Sequence, residues 1–283
     1  MLIGRLKVRQ REFPAAHAIL DRALAALRRA KASRDPARTE VLILLGSVLV
    51  RTDNYAGAIR RYREAAQSDV AQHDARLRGQ AFWGIGWAER KLGNFETAKE
   101  FLLKAKDAFE QAEDLQDLMR ILHNLGQLLH EQGRSREALR YLHHALRVAD
   151  RMNTPVDRAS TQTEIGRINL SLGNLEDAEH FAQRALEEAM AQDDPTEIAE
   201  AKTVLAQIRV RRNDIAAAID MMKDAVEIFR ERKMRGRMAV AARELGMLLR
   251  ARGAHAQAAE YLALSLEHSG REATSRETTE VAD

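Results

Sequence analysis

The sequence contains no cysteine among its 283 residues, which excludes disulfides, thiolate metal ligands and cysteine nucleophiles. Aromatic residues are also scarce, at 5%, whereas 31% of the residues are charged and 45% are apolar. Basic and acidic side chains nearly cancel, 45 against 42, so the net charge of +3 gives little support for a nucleic-acid partner. This composition is typical of a helical protein rather than of a β-sandwich or a barrel.

Long apolar runs are absent as well. The longest, residues 41–50, is closed by Glu40 and Arg51, whereas a membrane-spanning helix needs about 20 apolar residues. The N-terminal residues are charged from the start and contain no apolar signal-peptide core. We therefore expect a cytoplasmic protein without a membrane partner.

What the sequence does contain is a repeat of about 40 residues. An apolar residue followed by a small one, which we call the anchor, occurs seven times: Ile3-Gly4, Leu45-Gly46, Ile85-Gly86, Leu125-Gly126, Ile165-Gly166, Leu205-Ala206 and Leu245-Gly246. An alanine follows each anchor after the same interval, at Ala16, Ala58, Ala98, Ala138, Ala178, Ala218 and Ala258. Because two helices approach closely only where side chains are small, these positions predict a tightly packed helix pair in each repeat.

The turn inside each repeat is equally regular. After the first helix come residues that tolerate a left-handed conformation, at Asp53, Gly93, Gly133, Gly173, Asn213 and Gly253. The next residue is a good N-cap for the second helix in four repeats: Asn54, Asn94, Asn174 and Asp214. Each repeat is therefore predicted to be a helix–turn–helix unit.

This pattern resembles the tetratricopeptide repeat (TPR) family in a longer, 40-residue form, over about residues 1–268. The triplets Leu92-Gly93-Asn94 and Leu172-Gly173-Asn174 are similar to those of its Leu-Gly-Asn adaptors and of bacterial regulators with peptide-sensing TPR domains. The resemblance implies an all-α, right-handed superhelical solenoid of about seven repeats, in which the first helices line a concave groove.

The repeats are expected near residues 1–33, 34–73, 74–115, 116–155, 156–195, 196–235 and 236–268. Residues 269–283, rich in Ser, Thr and charge, are expected to form a disordered tail. Only three residues precede Gly4, so the first repeat lacks about two helical turns. We expect further sequence upstream, a hypothesis that an in-frame stop codon just before Met1 would exclude. The uncapped end also leaves a homodimer open.

The groove positions implied by the resemblance carry many cations and both tryptophans. The candidate peptide-binding residues are Trp83, Trp87, Arg90, Lys91, Arg120, His123, Gln127, His130, Arg167, Gln207 and Arg243. Trp and Arg are enriched at binding hot spots, so we expect a positively charged groove with an aromatic floor that binds an acidic or amphipathic protein or peptide. Alternatively, the tryptophans only fill space between repeats and the arginines form a solvated face. For Asn124, a structural amide with satisfied hydrogen bonds is favoured over a backbone clamp.

No arrangement of residues predicts catalysis, a cofactor or a metal. His123 and His130 are seven residues apart, whereas zinc ligands on one helix favour a spacing of four. The basic stretches 209–212 and 230–237 are not interleaved with aromatics, so nucleic-acid binding is disfavoured. The leading interpretation is a non-enzymatic adaptor or scaffold. The alternative is a ligand- or peptide-sensing regulatory domain of a larger signalling or transcription regulator.

Overall fold

The computed structural model describes residues 2–30, 35–152 and 158–277, which form fifteen helices and no strand. The helices are α1 (Leu2–Arg9), α2 (Phe13–Arg29), α3 (Pro36–Arg51), α4 (Tyr55–Ala66), α5 (Asp69–His73), α6 (Ala75–Lys91), α7 (Phe95–Gln111), α8 (Leu115–Glu131), α9 (Ser135–Met152), α10 (Arg158–Leu172), α11 (Leu175–Ala191), α12 (Pro195–Arg211), α13 (Ile215–Glu231), α14 (Arg235–Ala251) and α15 (His255–Glu277). Consecutive helices pack in pairs, which confirms the predicted all-α solenoid class.

The chain divides into two compact units, Met1–Asn153 and Thr154–Asp283. Unit one contains α1 to α9, and unit two contains α10 to α15. Within each unit, the pairs stack so that a second helix contacts the first helix of the next pair, as α7 contacts α8 and α13 contacts α14. None of the helices among the described residues is long and apolar enough to span a membrane.

The predicted small positions bring the paired helices together. A Cβ on Gly126 would lie 2.6 Å from Cγ of Leu142, and one on Gly166 would lie 3.1 Å from the carbonyl oxygen of Ala178. The alanines of the second helices are fully buried, as at Ala138 and Ala218. The paired helices therefore pack as closely as the small residues of the repeat predict.

The turns inside the repeats adopt the predicted left-handed conformation. Positive φ values occur at all six predicted positions: Asp53, Gly93, Gly133, Gly173, Asn213 and Gly253. Residues in turns between repeats adopt it too, with φ of 52° at Glu113, 50° at Asp193 and 56° at Lys233. Glu113 and Lys233 gave no signal in the sequence, because their side chains do not favour this conformation and the packing of the flanking helices imposes it.

Two of the four predicted N-caps are correct. The side chain of Asn54 accepts a hydrogen bond from the Gly57 amide at 2.9 Å, and Asp214 likewise caps α13. The prediction is wrong for Asn94 and Asn174, whose side chains make no cap. Their amide groups donate instead to buried acceptors on the preceding helix, as from Asn94 Nδ2 to Glu89 Oε2 at 2.8 Å. A buried carboxylate without hydrogen-bond donors costs more free energy than an exposed helix end, which water can solvate.

The second repeat departs from the simple helix pair that was predicted. Its second helix, α4, has only 12 residues and is followed by the five-residue α5. Ser68 separates them: its hydroxyl bonds to that of the buried Thr39 at 2.8 Å and accepts from the Ala71 amide at 3.2 Å. A side chain that bonds to its own backbone in this way competes with helix continuation.

Both chain ends leave predictions untested. On α1, Leu2, Ile3 and Leu6 are exposed, and the homodimer through this end stays a prediction. Helix α15 extends to Glu277, whereas the predicted disordered tail starts at residue 269. The last six residues of that tail, 278–283, lie outside the described residues, so its disorder also stays a prediction.

Candidate functional site

Unit one contains a cleft of about 490 Å³ that we call the tryptophan cleft. Its lining residues are Ser47, Val50, Arg51, Tyr62, Gln80, Trp83, Gly84, Trp87 and Asn124. All except Tyr62 lie on the first helices of three successive repeats, α3, α6 and α8. This is the helix set that the resemblance placed along the groove.

The two tryptophans lie one turn apart on α6 and share one face of that helix. The Trp83 ring meets Phe109 of α7 edge-on at a centroid distance of 6.2 Å, and the Trp87 ring meets Tyr55 of α4 at 6.2 Å. Both tryptophans are half-buried and line the cleft, and Trp83 also packs against the buried core of unit one. The ring contacts with Phe109 and Tyr55 therefore help to orient two indole rings that also line the cleft.

Several of the predicted basic residues form ion pairs with neighbouring carboxylates. Arg90 binds both carboxylate oxygens of Glu131, one of them through Nε at 2.8 Å. Its Nη1 also lies 3.5 Å from Oε1 of Gln127. Arg120 lies 3.6 Å from Asp117 on its own helix. A charge held by a neighbouring carboxylate attracts an acidic ligand less, because the pair is nearly neutral at a distance.

Unit two repeats this arrangement. Arg167 Nη2 donates to Glu200 at 3.0 Å, and Arg237 reaches the same carboxylate at 2.9 Å. Gln207 Nε2 donates to Glu244 at 2.9 Å. These contacts link α10 to α12 and α12 to α14, so the first helices of neighbouring repeats are connected by polar side chains. These polar contacts could not be predicted from the sequence, because they depend on the distance between helices of different repeats.

A second, smaller cleft of about 300 Å³ lies in unit two. Its lining is mainly apolar: Leu170, Gln207, Val210, Arg211, Met222, Glu244, Met247 and Leu248. Of the predicted residues only Gln207 lines it. Arg243 is exposed and forms no ion pair with any residue that the structure describes.

The other predicted residues lie outside the tryptophan cleft, in which only Trp83 and Trp87 of the candidate set take part. His130 Nδ1 lies 3.0 Å from the Ser135 hydroxyl, a contact that ties the end of α8 to the start of α9. His123 is half-buried on α8. Lys91 stacks its ammonium group over Trp87, 5.1 Å from the ring centroid, which is a cation–π contact at the edge of the cleft.

Two cleft residues were not among the candidate residues predicted from the sequence. Asn124, interpreted as a satisfied structural amide, has no hydrogen-bond partner among the described residues and lines the cleft, so that interpretation is wrong. Tyr62 is 5% exposed, as expected of a core residue, and it also reaches the cleft lining. The sequence feature that could have indicated the reach of Tyr62 is Gly84. The corresponding residue of the later repeats is larger: Asn124, Glu164, Val204 or Glu244.

Within the described ranges, no cluster of three or more His, Asp or Glu side chains is placed to hold a metal ion. The tryptophan cleft offers indole faces for apolar groups, two amides for hydrogen bonds and Arg51 for a negative charge.

Comparison with known proteins agrees with this architecture. Models of the family described as tetratricopeptide repeat match residues 77–151 and 157–231, and residues 1–69. No curated protein sequence matches the chain.

Three solved structures illustrate the likeness in fold. The apo form of RapI has a TM-score of 0.78 and 15% identity, covering 96% of this chain and 97% of that one. Aspartyl phosphate phosphatase F from Bacillus subtilis has a TM-score of 0.73 and 15% identity, covering 94% and 68%. The Rap conjugation gene regulator of plasmid pLS20, solved with the Phr* peptide, has a TM-score of 0.66 and 17% identity, covering 99% and 74%. The family matches extend over more than half of the sequence, and the chain belongs to the tetratricopeptide repeat family.

Proposed function

We propose that the chain is a non-catalytic scaffold whose tryptophan cleft binds a segment of a protein or peptide. The observation that carries the proposal is that both tryptophans of the sequence open onto one cleft. Half-buried tryptophans on a rigid helix lose little side-chain entropy on binding, which is why this residue dominates binding hot spots.

The cleft also contains polar groups that an extended segment needs. The amide of Asn124 has no partner among the described residues, and that of Gln80 makes only a long contact of 3.5 Å to Asp117. Both groups can exchange hydrogen bonds with a peptide backbone, while the indole faces hold its apolar side chains. The likeness to a Rap regulator solved with a bound peptide agrees with such a ligand.

An acidic or amphipathic segment fits this cleft better than a basic one. Arg51 and Lys91 form no ion pair with any described residue, whereas Arg90 is held by Glu131. The positive charge available to a ligand is therefore concentrated beside the tryptophans.

A peptide selected for binding tests this assignment directly. We would recover binders of the whole chain from a random dodecapeptide phage library and measure the affinity of each by fluorescence anisotropy. The Trp87→Ala variant is expected to lose about tenfold or more. Phe95→Ala, which removes an exposed aromatic outside the cleft, is the matched control and should bind normally. Equal binding by Trp87→Ala would contradict the proposal.

The non-catalytic part of the proposal has a test of its own, since one structural neighbour is named a phosphatase. We expect the purified chain to release phosphate from acetyl phosphate no faster than buffer does. A rate that rises with protein concentration would contradict that part and leave the binding proposal standing.

The second candidate is a peptide-sensing regulatory domain, which the likeness to a conjugation gene regulator favours. Hydrogen exchange separates the two functions. A scaffold should gain protection mainly at the cleft helices α3, α6 and α8. A sensor should also change exchange in unit two, Thr154–Asp283, which supplies none of the cleft residues.

A further inference from the structure

The Tyr62 side chain reaches the tryptophan cleft from a helix that lies behind the helices lining it. It belongs to α4, a second helix, and its ring passes between the first helices α3 and α6 where both carry glycine. A Cβ on Gly46 would lie 2.6 Å from the ring, and one on Gly84 would lie 2.4 Å from Cζ, the carbon that bears the hydroxyl. The two glycines therefore form a passage that just admits an aromatic ring.

The other repeats do not share this passage. At the position of Tyr62 they have aliphatic residues, such as Leu102 and Leu142, which stop at the anchor glycine of their own repeat. The longer tyrosine fills the passage with its ring and carries a hydroxyl group towards the cleft, and Gly84 makes room for the ring.

That hydroxyl has no hydrogen-bond partner among the residues that the structure describes, although the side chain is 5% exposed. Burial raises the pKa of the Tyr62 hydroxyl, against a smaller opposite effect of Arg51. The group therefore stays protonated at neutral pH and remains a hydrogen-bond donor. Because Tyr62 lines the cleft, a ligand oxygen there can accept a hydrogen bond from this hydroxyl.

The residues around the Tyr62 hydroxyl indicate which chemical group supplies the ligand oxygen. Trp83 and Trp87 offer apolar faces, and the exposed Arg51 forms no ion pair with any described residue. No aspartate or glutamate of the described ranges lines the cleft. An anionic oxygen next to an apolar group satisfies all of these features at once.

We propose that the tryptophan cleft is specific for an apolar, aromatic side chain adjoining a carboxylate, and that the Tyr62 hydroxyl and Arg51 bind the carboxylate. The inference rests on the proposed function and names its ligand chemistry. Tyr62 is the specificity-determining residue: its ring belongs to the core and its hydroxyl to the site.

The probe is N-acetyl-phenylalanine, with N-acetyl-phenylalaninamide as its uncharged counterpart. Binding to the full chain is followed through the two indole N–H signals in a ¹H–¹⁵N spectrum, since both tryptophans line the cleft. We expect the acid to bind at millimolar concentrations and the amide to bind about tenfold more weakly.

Tyr62→Phe removes one oxygen atom and keeps the ring between the glycines. It should weaken binding of the acid about tenfold and leave the melting temperature unchanged, because the hydroxyl has no partner among the described residues. Tyr261→Phe, in unit two, is the matched control and should change neither quantity. Arg51→Gln should weaken binding of the acid but not of the amide.

Equal binding of the acid by Tyr62→Phe and the parent would overturn the inference, as would equal binding of acid and amide or no binding of the acid. A melting temperature lowered by Tyr62→Phe would show a structural role for the hydroxyl and would also overturn it. A separate result would contradict the proposed peptide-binding function: selected peptides that bind Trp87→Ala and the parent with equal affinity.

Discussion

Gly84 of α6 lies against the ring of Tyr62 from α4, so closely that a Cβ on Gly84 would lie 2.4 Å from Cζ of Tyr62. The ring cannot withdraw, because Gly46 confines it on α3. Gly84→Ala should therefore destabilise the protein by about 1–3 kcal/mol, the usual cost of overpacking. Urea unfolding followed by circular dichroism measures this change.

The cause of that loss can be separated from the general effect of a substitution in α6. In a double-mutant cycle with Tyr62→Leu, the shorter side chain should relieve the clash, with a coupling of about 1 kcal/mol or more. Additive effects of the two substitutions would show that Tyr62 and Gly84 do not constrain each other.

Gly126→Leu should disrupt the packing of α8 against α9. Its side chain would meet Leu142, whose Cγ already lies 2.6 Å from the position of a Cβ, and a shift of either helix strains the adjoining repeats. We expect a loss of about 3 kcal/mol or more and a lower melting temperature. Gly133→Asn is the control, since no atom lies within 4 Å of its Cβ position and asparagine tolerates its φ of 76°. An unchanged melting profile for Gly126→Leu would contradict the assigned register.

Lys233→Gly should stabilise the protein. Lys233 has a φ of 56°, a conformation that glycine adopts without strain. The expected gain is about 0.5–1 kcal/mol in the free energy of unfolding, because the greater freedom of unfolded glycine offsets part of the relief. Asn213→Gly, at a φ of 63°, should gain less because asparagine already tolerates this region. A loss of stability in Lys233→Gly would mean that its side-chain contacts outweigh the backbone strain.

Glu64 should make the stability of unit one dependent on pH. Partial burial would raise the pKa of Glu64, but Arg28 at 2.7 Å and Arg38 at 3.2 Å outweigh burial and hold the pKa below its ordinary value of 4.5. The stabilisation is therefore fully present above that ordinary value. It is lost as the pH falls through the lower pKa of the folded state.

Glu64→Gln tests this dependence. Because the carboxylate is 30% exposed, we expect a cost of only about 0.5–1 kcal/mol at pH 7. The difference from the parent should shrink towards zero in acid, below the folded pKa. Glu260→Gln, an exposed residue without an ion pair to any described residue, should show no such dependence. A difference that stays constant with pH would exclude the Arg28–Glu64–Arg38 arrangement as its source.

The sequence predicted features that depend on one residue or on one helix pair. Gly126 and Ala138 identified the close contact because only small side chains permit it, and Gly93 and Asn213 identified the turns because few residues accept positive φ. The left-handed Lys233 was not predictable, since packing imposes a conformation that lysine does not favour.

The candidate site was predicted less completely than the fold. Trp83 and Trp87 followed from their spacing on one helix face. The partner of Arg90 and the reach of Tyr62 depend on how far apart helices of different repeats lie, which the repeat pattern does not specify. The interruption at Ser68 depends likewise on its contact with Thr39 of another helix.

The most direct test of the account is a titration of the two indole N–H signals with a peptide recovered by selection on the whole chain, with calorimetry to measure the affinity independently. We predict that both signals shift and saturate with the calorimetric Kd, because Trp83 and Trp87 form the floor of the binding cleft. Tight calorimetric binding with both indole signals unmoved would show that the partner occupies another surface, and the central claim would be wrong.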